Sequence, residues 1–130
     1  MQAPPARPGD PVDGIDTPAL VVDLDAFERN LDLMANAVHG AGVALRPHGK
    51  AHKCPEIALA QLERGAVGTC CQKVDEAAAF VDAGIRDVLV TNEVVADAKL
   101  ARLAALARRA TVGVLADDAA TVARIGHAAR

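Results

Sequence analysis

Neither Trp nor Tyr occurs in this 130-residue chain, and Phe27 and Phe80 are its two aromatic residues. A core built without them must rest on Ala, Val and Leu, each of which buries a modest apolar area, so stability per residue should be ordinary at best. Cysteine is scarce and odd in number: Cys54, Cys70 and Cys71 exclude a disulfide framework, since one thiol is left over and two sequence neighbours bridge only with strain. No apolar run approaches the ~20 residues that span a bilayer, and the N-terminus lacks the charged-then-apolar pattern of a secretion signal. A cytoplasmic protein with reduced thiols is expected. Positive charge is in deficit, 14 Lys and Arg against 17 Asp and Glu for a net charge of -3, which argues against a broad nucleic-acid-binding or membrane-adhering face. Gly-x-Gly-x-x-Gly and Walker patterns are missing after every apolar run, which counts against a dinucleotide or nucleotide fold, because phosphates there need close backbone approach.

What remains is a globular composition, 52% hydrophobic and 24% charged, long enough for one domain with a buried core. Residues 1–16 hold four of the seven prolines and read as an irregular leader. Residues 19–24 form an apolar, strand-like run. Asp25-x-x-Glu28 then opens a helix as an N-cap with a capping-box acid; Phe27, Leu31, Met34 and Val38 fall on one stripe, and Gly40 stops it. After that a unit repeats. Apolar runs begin near Val43, Val67, Val88 and Thr111, spaced by 24, 21 and 23 residues, with helical patterns between them. The pattern is βαβαβαβα, and the nearly continuous apolar runs at 67–71, 88–91 and 111–116 suit a parallel sheet covered by helices on both faces. Pro55 fits the first turn of a helix, Asp75 and Asp117 or Asp118 fit helix starts, and Gly65 and Gly84 fit helix stops.

One segment departs from an ordinary surface. Arg46-Pro47-His48-Gly49-Lys50-Ala51-His52-Lys53 packs five basic side chains into eight residues, at the carboxyl end of the run that begins at Val43. In a (β/α)8 barrel, chemistry sits at that end of the strands. If residues 43–50 are extended, Val43, Leu45 and Pro47 face the outer helices, while Ala44, Arg46, His48 and Lys50 share the inner face. Pro47 and Gly49 are the residues that could interrupt that run. His48 and His52 have the i, i+4 spacing of a metal pair, but Pro47, Gly49 and Pro55 oppose the helix that would align them, so orienting a ligand suits them better. Cys70 and Cys71 read as buried structural thiols.

Four blocks together carry a resemblance. They are Thr17-Pro18-Ala19-Leu20-Val21-Val22-Asp23-Leu24-Asp25; the Arg46 to Lys53 block; Gly68-Thr69-Cys70-Cys71-Gln72-Lys73 with Glu76-Ala77; and Asp87-Val88-Leu89-Val90-Thr91-Asn92-Glu93-Val94. The chain resembles the low-specificity D-threonine aldolases of the D-serine dehydratase-like group, whose N-terminal domain is similar to the alanine racemase barrel and holds pyridoxal 5'-phosphate. The resemblance implies an α/β fold in which residues 17–130 form the N-terminal half, about four βα units, of a TIM-type (β/α)8 barrel of the alanine racemase-like fold type III. It implies that Lys50 is the Schiff-base lysine and that Arg46, His48 and Gln72 join it as cofactor contacts. Desolvation at a barrel mouth and nearby cations such as Arg46 and Lys53 would favour the unprotonated amine that Lys50 needs. Lys53 itself suits phosphate or carboxylate contact, or solvation.

The reaction implied is retro-aldol cleavage of D-threonine and related D-β-hydroxy-α-amino acids to glycine and an aldehyde. A divalent metal, manganese or similar, is expected to assist, with its ligands outside this chain. Two alternatives stand beside it: a D-serine or D-3-hydroxyaspartate dehydratase using the same lysine, and a non-enzymatic barrel that binds pyridoxal phosphate for homeostasis. The remaining barrel strands and a C-terminal β domain are expected beyond residue 130, as is dimerisation of the full-length enzyme. The 130 residues alone should be inactive and left with unpaired strand edges.

Overall fold

The computed structural model describes residues 4–130, which divide into two compact units with the boundary at residue 30, inside the first helix. Among the described residues before the first helix, the chain is irregular apart from a 3-10 turn at Val12–Gly14. Residues 19–23 are not a strand, and Leu20, Val21 and Val22 are exposed. Apolar, β-branched composition makes a segment competent for a sheet, but a strand exists only where a neighbour accepts its hydrogen bonds. Helix α1 (Leu24–Gly40) also starts earlier than its sequence suggests: the Ala26 N–H donates to Asp23 Oδ1 at 2.9 Å, so the capping acid is Asp23 rather than Asp25.

The second unit begins inside α1 and contains its C-terminal cap. The Val43 N–H bonds back to the Val38 carbonyl at 3.1 Å and the Gly42 N–H to the His39 carbonyl at 3.0 Å, around Gly42 at φ +67°. That pair of bonds makes a Schellman stop, which places the terminating glycine at 42 instead of 40. Helix α2 (Pro55–Glu63), strand β1 (Thr69–Cys71), helix α3 (Val74–Asp82), strand β2 (Asp87–Glu93), helix α4 (Asp97–Ala107), strand β3 (Thr111–Leu115) and helix α5 (Ala119–Ala128) follow in alternation. Pro55 opens α2, Gly65 (φ +92°) and Gly84 (φ +101°) follow α2 and α3, and Asp118 caps α5 by accepting the Thr121 N–H at 2.8 Å.

The sheet is parallel in the order β1-β2-β3, which matches the order along the chain. Right-handed crossovers between sequential neighbours put all their helices on one side, as in a barrel, whereas a doubly wound sheet reverses its order and uses both. Burial agrees. Thr69, Cys71, Val88 and Val90 point into a core with Phe80, Val81 and Ile85, with α3 packed on β1 and β2 and α4 on β3. The opposite face carries Asp87, Leu89, Thr91 and Gly113 and is only partly buried, so the expectation of two helix-covered faces is overturned. Continuous apolar runs misled because Leu89 and Cys70 sit among the valines without sharing their face.

The run from Val43 contributes less regular structure than its composition suggests. It lies beside β1, where the Cys70 N–H donates to the Pro47 carbonyl and the Gly49 N–H to the Cys70 carbonyl, both at 2.7 Å, but the ladder reduces to one bridge between His48 and Cys70. Pro47 has no N–H to donate, and the ladder fails at that residue.

Candidate active site

Two features of the sheet bring the basic block into register with β2. Extending the observed pairing sets Arg46, Gly68 and Asp87 in one row across the open face. A Cβ on Gly68 would lie 2.2 Å from Arg46 Nη1 and 2.5 Å from the Asp87 carbonyl oxygen, so only glycine lets the guanidinium pass over β1. Arg46 then meets Asp87 through two parallel bonds, Nη1 to Oδ1 at 2.8 Å and Nη2 to Oδ2 at 3.1 Å. That bidentate pair raises the Arg46 pKa against the opposing pull of burial.

Two residues on, His48 places Nε2 at 2.8 Å from Thr91 Oγ1, and its Nδ1 accepts the Lys50 backbone N–H at 3.2 Å. Burial, followed by the nearby Lys50 charge, holds His48 below the ordinary imidazole range, against an upward pull from Glu76. The extended run then ends. Residues 49–52 turn, the Lys53 N–H closes on the Gly49 carbonyl at 2.7 Å, and Lys53 itself adopts φ +52°. Gly49 is required by its neighbour rather than by its dihedral: a Cβ there would sit 2.4 Å from Cζ of buried Phe80. Lys50 is carried in this turn, exposed, and its side chain has no hydrogen-bond or ion-pair partner among the described residues. The inner-face alternation therefore holds for Arg46 and His48 and stops before Lys50. The two cations expected to act on Lys50 are each paired, Arg46 with Asp87 and Lys53 with Glu76 at 3.5 Å.

His52 belongs to the opposite face. Its ring meets Phe80 edge-on with centroids 6.4 Å apart, and its Nδ1 accepts the Cys54 N–H at 3.0 Å, while Nε2 is buried without a partner among the described residues. Its ring packs on the core, and burial lowers its pKa. Glu76, in the first turn of α3, accepts the Gln72 N–H at 2.8 Å. Burial alone would raise Glu76, but the Gln72 and Lys73 amides and the Lys53 ammonium hold it below the usual carboxylate range. Gln72 lines a 370 Å³ cavity with Lys73, Asn92, Glu93 and Lys99, and Arg46, His48 and Lys50 are not among the residues that line it. Cys70 and Cys71 are reduced and buried; burial pushes the Cys70 thiol up and the Cys71 thiol up to about 12, so neither is a poised nucleophile. Among the described residues no cluster of three or more His, Cys, Asp or Glu could hold a metal ion, and no helix is long and apolar enough to cross a membrane.

Asp87, Thr91 and Glu76 are the site residues that sequence reasoning left without roles. A signal existed for the first two: counting by twos along 87–91 separates Asp87, Leu89 and Thr91 from Val88 and Val90, and so marks them for the face that Arg46 and His48 share.

The fold and site define a partial (β/α)8-type α/β domain that presents an uncommitted lysine at the carboxyl edge of a parallel sheet. The family model for the N-terminal domain of alanine racemase matches residues 22–129, and the chain belongs to that family. It is 56% identical over 125 residues to a D-threonine aldolase from an Arthrobacter species, covering 96% of this chain and 33% of that protein. The crystal structure of D-threonine aldolase from Filomicrobium marinum superposes with a TM-score of 0.95 at 54% identity, over 98% of this chain and 34% of that one. D-threo-3-hydroxyaspartate dehydratase from Delftia sp. HT23 matches with a TM-score of 0.78 at 35% identity, over 87% of this chain and 30% of its own. The chain thus spans about a third of the length of these relatives.

Proposed function

We propose that this chain supplies the lysine-bearing part of a pyridoxal phosphate-dependent lyase that cleaves D-β-hydroxy-α-amino acids, converting D-threonine to glycine and acetaldehyde. The observation that carries the reading is Lys50, an exposed primary amine without a partner among the described residues, held in a tight turn at the carboxyl end of a sheet segment. The donor set fits the cofactor. Its aldehyde needs an uncommitted amine, and within the basic block the Arg46 and Lys53 charges are already neutralised by carboxylates. When bound, pyridoxal phosphate supplies an electron sink for the charge left at Cα as the Cα–Cβ bond breaks.

His48, neutral and bonded to the Lys50 backbone amide, is a cofactor contact in this reading. The family resemblance adds Gln72, at the end of β1, as a second contact, from a cavity that Lys50 does not line. Arg46 enters differently, since its guanidinium is committed to Asp87: it braces the strand beneath the turn. A base must take the β-hydroxyl proton, and a divalent cation such as manganese is proposed to assist there. No residue of this chain is assigned to either task.

Incubation with pyridoxal phosphate, borohydride reduction and peptide mapping should mark Lys50. Label on Lys53, Lys73 or Lys99 instead would refute the assignment. A second reading, elimination of the β-hydroxyl, is favoured by the likeness to the Delftia dehydratase and uses the same lysine. Where D-threonine is consumed, glycine with acetaldehyde supports cleavage, and ammonia with 2-oxobutanoate supports elimination.

A further inference from the structure

We propose that His48 and Thr91 are positioning residues that fix the backbone of Lys50 through a single, directional chain of hydrogen bonds. The chain starts at the Cys71 carbonyl on β1, which accepts the Thr91 hydroxyl proton at 3.0 Å. A threonine hydroxyl has one proton, so with that proton committed Thr91 Oγ1 acts toward His48 as an acceptor, and Nε2 at 2.8 Å must carry a hydrogen. At the other end of the ring the Lys50 N–H can only donate, so Nδ1 at 3.2 Å must hold a lone pair. Both ends give the same answer: His48 is the neutral Nε2–H tautomer, set by Thr91 on one side and read out by Lys50 on the other.

The local geometry of β2 makes Thr91 available for this. Its pairing with β3 shifts between Val90 and Glu93, where Val90 faces Val114 but Glu93 faces Leu115, so Thr91 and Asn92 oppose no β3 residue. Irregularities of this kind re-aim a side chain at the edge of a sheet. Thr91 turns to β1 and the His48 ring, and the ring reaches past the last bridged residue into the turn. Lys50 has a long, flexible side chain, so the region its amine can reach is set by where its Cα is held. Misplacement of a reacting group by about an ångström is enough to slow a reaction substantially. The inference rests on the reading of Lys50 as the cofactor lysine, and it concerns what fixes that lysine.

Two pairs of variants test it. Thr91→Val removes donor and acceptor at nearly constant shape, and Thr91→Ser restores both. His48→Asn keeps an acceptor near the Nδ1 position, while His48→Gln keeps a donor near Nε2 and loses the link to Lys50. Hydrogen exchange of the Lys50 amide should accelerate about two- to tenfold in Thr91→Val and His48→Gln, in keeping with the loss of one hydrogen bond, return toward wild type in Thr91→Ser, and recover only in part in His48→Asn, which keeps the acceptor for Lys50 but not the bond to Thr91. Ring 15N shifts of His48 should report a protonated Nε2 and a bare Nδ1. Borohydride-trapped labelling of Lys50 by pyridoxal phosphate should slow in the same order as the exchange quickens. A protonated Nδ1, or Lys50 exchange unchanged in Thr91→Val, overturns the proposal. Exchange effects in the variants together with wild-type protein that takes no label at Lys50 support the positioning chain and count against the cofactor reading alone.

Discussion

The two faces of one short sheet divide the work of this protein. On the same strands, Thr69, Cys71, Val88 and Val90 are buried against α3 and α4, while the alternating residues Asp87, Leu89 and Thr91 remain partly open beside Arg46 and His48. The covered face is held by apolar packing around Phe80, Val81 and Ile85, which is non-directional and summed over area. On the open face the links are directional: a bidentate ion pair threaded over Gly68, and a histidine whose two nitrogens have different partners. Stability and site geometry are therefore set by residues one position apart. Changes on the covered face should act mainly on folding, and changes on the open face mainly on where Lys50 and its neighbours sit.

The largest effect should come from Phe80→Ala. Phe80 is 2% exposed, contacts the His52 ring and lies against Gly49, so its truncation opens a cavity under the lysine turn. A loss of about 3–5 kcal/mol is expected by denaturant titration, a large share of the roughly 5–15 kcal/mol of an ordinary domain. A loss under about 1 kcal/mol would mean that the covered face does not hold the fold.

A smaller effect, on the other face, should follow Gly68→Ala. The new Cβ meets both Arg46 and the Asp87 backbone, so overpacking of about 1–3 kcal/mol is expected together with loss of the Arg46–Asp87 pair. A crystal structure or the Arg46 side-chain NMR signal reads the second part; an intact pair in this variant would show that the passage over β1 is wider than it looks.

The smallest effect is a pH dependence that both faces share. His48 on the open face and His52 on the covered one both titrate below their ordinary value of 6.5 in the folded chain, His48 through burial and Lys50 against Glu76, His52 through burial. As pH falls, the unfolded chain takes up these protons first. The stability contributed by the neutral rings is complete above about pH 6.5 and is lost progressively below it, toward the folded values. The melting temperature should fall between about pH 7 and pH 5.5, and His52→Asn should flatten that slope more than His48→Asn, because His52 is the more deeply buried. A melting temperature that rises over this interval contradicts the assignment of both rings as neutral.

Much of this organisation is legible without coordinates, because it is local. Repeats of 21 to 24 residues specify alternating strands and helices, Pro55, Gly65, Gly84 and Asp118 mark helix ends, and two-residue alternation sets Arg46 and His48 on one face. The errors are equally instructive. Residues 19–23 have the composition of a strand and no partner in the described structure, and the Val43 run loses its ladder at Pro47. Asp25 falls inside the first turn of α1, and Asp23, equally suited by residue type, stands just before it and supplies the cap.

The sequence by itself determined the βα repeat, the single basic block and the parity of its side chains, since each depends on residues near one another in the chain. Tertiary structure decided that all the sheet's helices lie on one face, that Arg46 reaches Asp87 over Gly68, and that Thr91 fixes the His48 tautomer. These contacts join residues about forty positions apart, and they depend on strand register, which is set by packing and by which backbone groups find partners rather than by any local pattern.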